Sequence, residues 1–326
     1  MKKLMNITTS HFDIPRYRDN LDLKHFYRSF GLDGVEVMEG SVESQDIIRE
    51  DDVTGVHLAF FPCWVRLWRG DEAAILDEYG SWDVCREVYG GDTGETLLKA
   101  YGKNLSFAAG LLPEYLVFHI SDASTRESVH RRYRYTDEEV IDASVELVNR
   151  ITPEIPGGAL LLFENLWWPG LRLTRPDLTF RLLRGIEYKN TGVMFDIGHL
   201  LHTNTALKTL DKALAYVHSI LDLYGDISFI KGVHLHQSLS GEYVEGILKN
   251  PFPVEEDYFR RFGDIHQHIY RIDSHEPFLH PGVAGLIDRI SPEYLVLELI
   301  SKTREEHAES LARQMEYLRG QCPEHG

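Results

Sequence analysis

The stretch TGVMFDIGHL, residues 191–200, puts reactive groups at the end of an apolar run. Val193, Met194 and Phe195 lead into Asp196, and Gly198 and His199 follow at once. A short apolar run between glycines reads as a buried strand. A strand covered on both faces of a parallel sheet is nearly all apolar. Asp196 is then the first charge at its C-terminal end. Gly198 permits a tight turn, which would aim His199 back at the carboxylate. Carboxylate plus imidazole at a strand end is half of a metal site. Taken alone, the pair reads equally well as a helix-capping Asp beside a satisfied His.

The same event recurs along the chain. His57 closes the run in GVHLAF, His119 that in YLVFHI, His234 that in FIKGVHL and Glu298 that in LVLE. Glu164 follows the apolar residues 159–163, and Asp273 and His275 form an Asp-x-His element in a loop. A lone His near a strand end, such as His57 or His119, is more often structural than a ligand. Glu164, Asp196, His234 and Glu298 differ, because a charge after an apolar run is costly unless paired or metal-bound. Asp273 and His275 could be plain surface residues. Together with His199 these are five histidines and four carboxylates. Such a mixture suits Zn²⁺ first, with Mn²⁺ or Fe²⁺ as alternatives, rather than Mg²⁺ alone. Nine donors exceed the needs of one ion, so two or three divalent metal ions per chain are expected.

The elements that must position these residues alternate. Strands are expected at 3–8, 34–38, 55–60, 115–120, 159–163, within 191–200, and at 229–235 and 294–299. Helices are expected at 21–30, 93–111, 136–150, 177–184, 205–223, 255–270, 283–290 and 303–319. Thr136 with Glu139 makes a capping box for one of them. Eight strands alternating with helices close a parallel barrel. An open doubly wound sheet is disfavoured, because no glycine-rich phosphate loop follows the first strand. The expected fold is therefore an α/β, (β/α)8 TIM barrel in a single domain, residues 1–326. Insertions at about 61–92, with two short helices, and about 237–271 would lie over the C-terminal face, where strand ends converge.

Composition bounds the partners. The 326 residues carry a net charge of −17, with 43% hydrophobic and 26% charged residues. An acidic surface opposes non-specific binding to nucleic acid or anionic membrane. No run of 18 apolar residues or leader-like segment is seen. Cys63, Cys85 and Cys322 are scattered and outside any C-x-x-C spacing, which suggests reduced thiols and a cytoplasmic location.

The segments GVHLAF, VFHIS, LLFENL, VMFDIGHL, GVHLH, DSHEPFLHPG and LVLELI run in one order over nearly the whole chain. In that order they resemble the xylose isomerase-like barrel superfamily, and most of all its endonuclease IV-type branch. In the sugar isomerase and epimerase branch, the resemblance implies one metal held by Glu164, Asp196, His234 and Glu298, with the glutamates also moving protons. In the endonuclease IV-type branch it implies three zinc ions on His57, His119, Glu164, Asp196, His199, His234, Asp273, His275 and Glu298. Glu164 would then bridge two ions and a hydroxide.

Two departures shape the expected substrate. The gaps from His57 to His119 and from His234 to Asp273 carry the insertions, which should roof the mouth. With the acidic charge, they argue against duplex DNA and for a smaller ligand. An apolar or planar part of that ligand could stack on Trp64, Trp68, Trp167 or Trp168, unless these tryptophans simply pack the insertions. Four carboxylates against three divalent ions leave a site charge of roughly +2, which attracts an anion. The first reading is metal-dependent hydrolysis of a phosphodiester or phosphomonoester in a small molecule, through metal-activated water. The alternative is a sugar or sugar-phosphate isomerase or epimerase with one divalent ion and Glu164 and Glu298 as proton-transfer pair. A metal-holding protein without turnover is a third class, and nothing in the sequence supports it, since both glutamates are present.

Overall fold

Eight short apolar runs close on themselves. β1 (Lys2–Thr8), β2 (Gly34–Met38), β3 (Val53–His57), β4 (Tyr115–His119), β5 (Leu160–Glu164), β6 (Thr191–Asp196), β7 (Ile230–His234) and β8 (Tyr294–Leu297) pair in parallel in chain order. β8 pairs back onto β1, with Lys2 opposite Tyr294 and Met5 opposite Leu297. The result is the expected (β/α)8 barrel. The computed structural model describes residues 1–42 and 46–321.

Side chains of a strand alternate between its faces. The inward set Leu4, Tyr115, Val117, Leu160, Leu162, Met194, Tyr294 and Val296 forms one buried cluster that fills the barrel. The alternate set, including Met5, Val35, Leu116, Leu161, Val193, Phe195 and Leu295, packs outward in a second and larger core. Helices cover that outer core, among them Asn20–Ser29, Glu95–Ala109, Asp137–Ile151, Pro176–Gly185, Leu210–Leu221, Val283–Ile290 and Arg304–Leu318. The Thr136–Glu139 capping box forms as expected, and Thr303 with Glu306 makes another.

Several expectations shift by a few residues. β3 begins at Val53 and ends at His57, so Leu58, Ala59 and Phe60 lie beyond the ladder. Phe60 instead packs on His119, with ring centroids 4.5 Å apart. The helix expected from 205 starts at Leu210, because the Thr209 hydroxyl accepts from Lys212 N and caps it there. The first insertion holds three helices rather than two: Val65–Arg69, Glu72–Tyr79 and Trp82–Tyr89. The second holds Gly241–Lys249 as well as Tyr258–Ile272, and Thr125–His130 is a further unexpected helix.

The two insertions are joined through a buried arginine. The Arg261 guanidinium donates to Thr125 Oγ1 at 2.7 Å and to the Glu78 carbonyl, and lies 3.9 Å from the Glu78 carboxylate. Above the mouth, Ala123, Leu166, Trp167, Trp168, Val244 and Ile272 form a third apolar cluster. Trp64, Trp167 and Trp168 are therefore core residues, and the Trp64 indole donates to the Ser121 carbonyl at 2.9 Å. Trp68 donates to Glu146 at 3.0 Å. None of the four lines the cavity described below, so the expected stacking platform is not formed by them. Cys63 and Cys85 are buried free thiols, and Cys322 lies outside the described residues. Among the described residues, no helix is long and apolar enough to cross a membrane.

Candidate metal centre

Strand period and register assemble the donors. His57, His119, Glu164, Asp196 and His234 are each the last residue of a strand, and Glu298 directly follows β8. Most of these lie two residues beyond an inward apolar side chain, namely Val117, Leu162, Met194 or Val296, so they share its face. The ladders pair His119 with Glu164 and Asp196 with His234. His199 sits on the short helix Ile197–Leu201 that follows β6, and Asp273 is the C-cap of Tyr258–Ile272. His275 takes a left-handed backbone, φ 49°, which costs energy for a residue with a side chain. The structure thus brings all nine expected residues into one mouth.

The donors fall into groups that touch. Ligand atoms of His57, His119 and Glu164 lie within 4.8 Å of one another, as do those of Glu164, Asp196, His234 and Glu298. A third group joins His199, His236, Asp273 and His275 on the same criterion. Glu164 belongs to two groups. Its Oε2 lies 3.0 Å from His57 Nε2 and 3.3 Å from His119 Nε2, and its Oε1 lies 3.2 Å from His234 Nδ1 and 3.2 Å from His199 Nδ1.

Backbone carbonyls decide which imidazole nitrogen faces inward. His57 Nδ1 lies 2.9 Å from the Leu58 carbonyl, His199 Nδ1 3.0 Å from that of Asn165, and His275 Nδ1 3.0 Å from that of Glu298. A carbonyl only accepts, so each Nδ1 carries the proton and each Nε2 is presented to the carboxylates. Such outer partners orient metal-ligating imidazoles and fix their tautomer. His234 is held the other way round. Its Nε2 lies 3.1 Å from Glu36 Oε1, which leaves Nδ1 for Glu164, Asp196 and Glu298.

Burial alone would disfavour every charge here; it prevails at His119, which ends below an ordinary imidazole, and the network overrides it at the donors that follow. Desolvation pushes the Glu164 carboxyl up, but His119 and His234 hold it well below the usual carboxylate range. The same contest leaves Asp273 well below its ordinary value, with His275 and His199 as its opposing charges. Desolvation lowers His199 and His234, yet their carboxylate neighbours raise both well above an ordinary imidazole. His275 ends at about 9, raised by Asp273 and Glu298 against its burial.

Three functional-looking residues escape sequence reasoning. Glu36 lies inside β2, accepts from the Tyr115 hydroxyl at 2.8 Å and holds His234. Its signal is a lone charge on the inward face of GVEVM. An ideal Cβ at Gly55 would overlap the Tyr115 ring, so the missing side chain there makes room for this contact. His202 Nε2 lies 3.1 Å from Asp273 Oδ1, and its signal is the spacing of three from His199. His236 lies two residues after His234, and its Nε2 is 2.9 Å from Asp196 Oδ2.

Gly198 plays a different part from the one expected. No turn forms at it, because Asp196 caps the helix by accepting from His199 N at 2.6 Å. A Cβ at Gly198 would instead meet the His236 ring, 2.8 Å from Nε2 and closer to Cε1 and Nδ1.

A cavity of about 680 Å³ opens beside the donors, lined by Glu36, His57, His275 and Glu298. Phe12, Tyr270 and Ile300 supply apolar wall, Lys302 supplies positive charge, and Arg16 is paired there with Asp13 at 3.0 Å. His119 Nδ1 and His236 Nδ1 are buried with no hydrogen-bond partner, and Glu298 Oε2 has the shared His234 Nδ1, 3.2 Å away, as its nearest ion-pair contact. A buried orphan acceptor costs about 1–3 kcal/mol. Separate cations, one at Glu298 Oε2 and one at His236 Nδ1, would relieve that cost, so the donor set fits divalent metal ions.

No family model matches the sequence, and no curated protein matches it. Solved structures do. The barrel superposes on endonuclease IV from Thermus thermophilus with a TM-score of 0.53 at 13% identity, over 98% of this chain and 99% of that one. The chain shares the endonuclease IV fold. A D-tagatose 3-epimerase-like protein matches at a TM-score of 0.49 and 15% identity, over 98% of each chain. A sugar phosphate isomerase/epimerase from Parabacteroides distasonis matches at 0.46 and 13% identity, over 99% of this chain and 94% of that one.

Proposed function

We propose that the chain is a metal-dependent hydrolase acting on a phosphoester, diester or monoester, of a small molecule. One observation supports this reading: two donor groups share Glu164 and a separate third group joins His199, Asp273 and His275, which is more donors than one ion needs. His57, His119 and Glu164 would hold one, and Glu164, Asp196, His234 and Glu298 a second. His199, Asp273 and His275 would hold a third. Zn²⁺ suits this nitrogen and oxygen set, with Mn²⁺ or Fe²⁺ as alternatives. When bound, such ions activate water near neutral pH and neutralise charge on a phosphoryl group.

The chain's own residues supply the rest. Glu164 and Glu298 are placed to organise the attacking water and to accept its proton. The cavity is of ordinary size for a small ligand. Lys302 places positive charge in its wall, where Arg16 is paired with Asp13 at 3.0 Å. With Glu36 counted, five carboxylates against three divalent ions leave a net site charge of roughly +1, which still favours an anion.

A second reading is supported by Glu164 and Glu298 meeting at one donor group, as the proton-transfer pair of a one-ion isomerase or epimerase must. His275→Ala separates the two. The hydrolase reading expects loss of one ion and a fall of orders of magnitude in hydrolysis of bis-p-nitrophenyl phosphate or p-nitrophenyl phosphate. One ion in both proteins, with no phosphoesterase rate in either, would sink the hydrolase and promote the isomerase.

A further inference from the structure

Building on the multi-ion reading, we propose that His236 is a fourth ligand of the His199–Asp273–His275 site. That site is then closed by four side chains and holds its ion structurally. The positions open to water and substrate belong to the two sites that share Glu164.

The ring chemistry leads there. A carboxylate accepts, so the contact of His236 Nε2 with Asp196 Oδ2 at 2.9 Å puts the proton on Nε2. The other ring nitrogen, Nδ1, is the one left to face the His199–Asp273–His275 group. That atom is fully buried and has no hydrogen-bond partner. It lies 3.9 Å from Asp273 Oδ1, and the ring stacks on His275 with centroids 3.8 Å apart and planes at 7°. The four residues present ligand atoms within 4.8 Å of one another. Asp196 therefore orients His236 as carboxylates orient metal-bound imidazoles elsewhere.

The surroundings favour a ligand over a substrate contact. Gly198 leaves the space the ring occupies, since any Cβ there would overlap it. Of His199, His236, Asp273 and His275, only His275 lines the cavity, whereas His57 and Glu298 of the Glu164-sharing sites also line it. Four protein ligands of its own close a site, whereas the two sites that share Glu164 divide six side chains between two ions, three per ion, which would leave positions for water and substrate. The wall of the cavity follows the same division.

The test uses the full chain, stripped of metal and titrated with Co²⁺ alone, reading stoichiometry and the visible bands of bound cobalt. His236→Phe keeps a ring to stack on His275, and His236→Gln keeps a donor for Asp196. Both should bind one ion fewer, or bind one ion at least ~10-fold more weakly. Wild type binding two or three ions, with both variants matching it in number and affinity, overturns the inference and leaves the multi-ion reading standing. Wild type binding fewer than two ions overturns both. A reading without variants comes from crystals of the zinc-loaded wild type. The anomalous peak nearest His275 should lie ~2.1 Å from His236 Nδ1, and an ion beyond hydrogen-bond distance of that atom refutes the assignment.

Discussion

Gly198→Ala sets two physical effects against each other. Gly198 lies in the helix Ile197–Leu201 without a positive φ, so alanine alone should stabilise by about 1 kcal/mol. The new Cβ would sit 2.8 Å from His236 Nε2 and closer still to Cε1 and Nδ1, against ordinary contact from 3.4 Å, so the ring must retreat by well over about 0.6 Å. It has nowhere free to go, with His275 stacked at 3.8 Å and Asp196 bonded at 2.9 Å. Overpacking costs about 1–3 kcal/mol, and weakening a hydrogen bond to a charged group about 1.5–3 kcal/mol. The net expectation is a loss of about 3 kcal/mol after the helix gain. Urea unfolding of chelator-treated protein measures it. In a His236→Ala background the clash is gone, and the same Gly198→Ala change should be neutral or stabilising. A single variant as stable as wild type, or an equal loss in both backgrounds, would refute the steric argument.

Glu164→Gln should abolish phosphoester hydrolysis while the circular dichroism spectrum stays that of wild type, because the amide removes the anion shared by two donor groups. Full activity in that variant would remove Glu164 from any catalytic role. His307 gives a pH signature. Burial, then the Arg16 charge, lowers its imidazole from 6.5 to about 4. Above pH 6.5 both states are neutral and nothing is lost. As pH falls towards 4 the unfolded chain takes up a proton that the folded chain refuses, so stability drops, by roughly 2.5 kcal/mol at pH 4.5. In chelator-treated protein, His307→Phe should lose that much less stability than wild type between pH 7 and 4.5. Parallel pH profiles for the two proteins count against the assignment.

The barrel and its nine donors were legible because two local signals coincide: an apolar run stops, and a charge or imidazole stands at the stop. Where an apolar run continues past the ladder, the signal misleads. GVHLAF looks like strand through Phe60, yet the strand ends at His57 and Phe60 packs on the His119 ring. Glu36 shows the converse. It sits within its run, and the partner that explains it, His234, lies 198 residues away across the barrel. Gly198 was misread for a related reason. A glycine after a strand suggests a turn, and only the placement of β7 reveals that an imidazole needs its missing side chain. The finest layer of the site was beyond any spacing argument. Which nitrogen His57, His199 and His275 present depends on the carbonyls of Leu58, Asn165 and Glu298, and every residue has a carbonyl. Residue type therefore reports which groups reach the mouth. Their orientation is set by backbone atoms that tertiary packing places, and orientation is what separates a set of ligands from a set of neighbours.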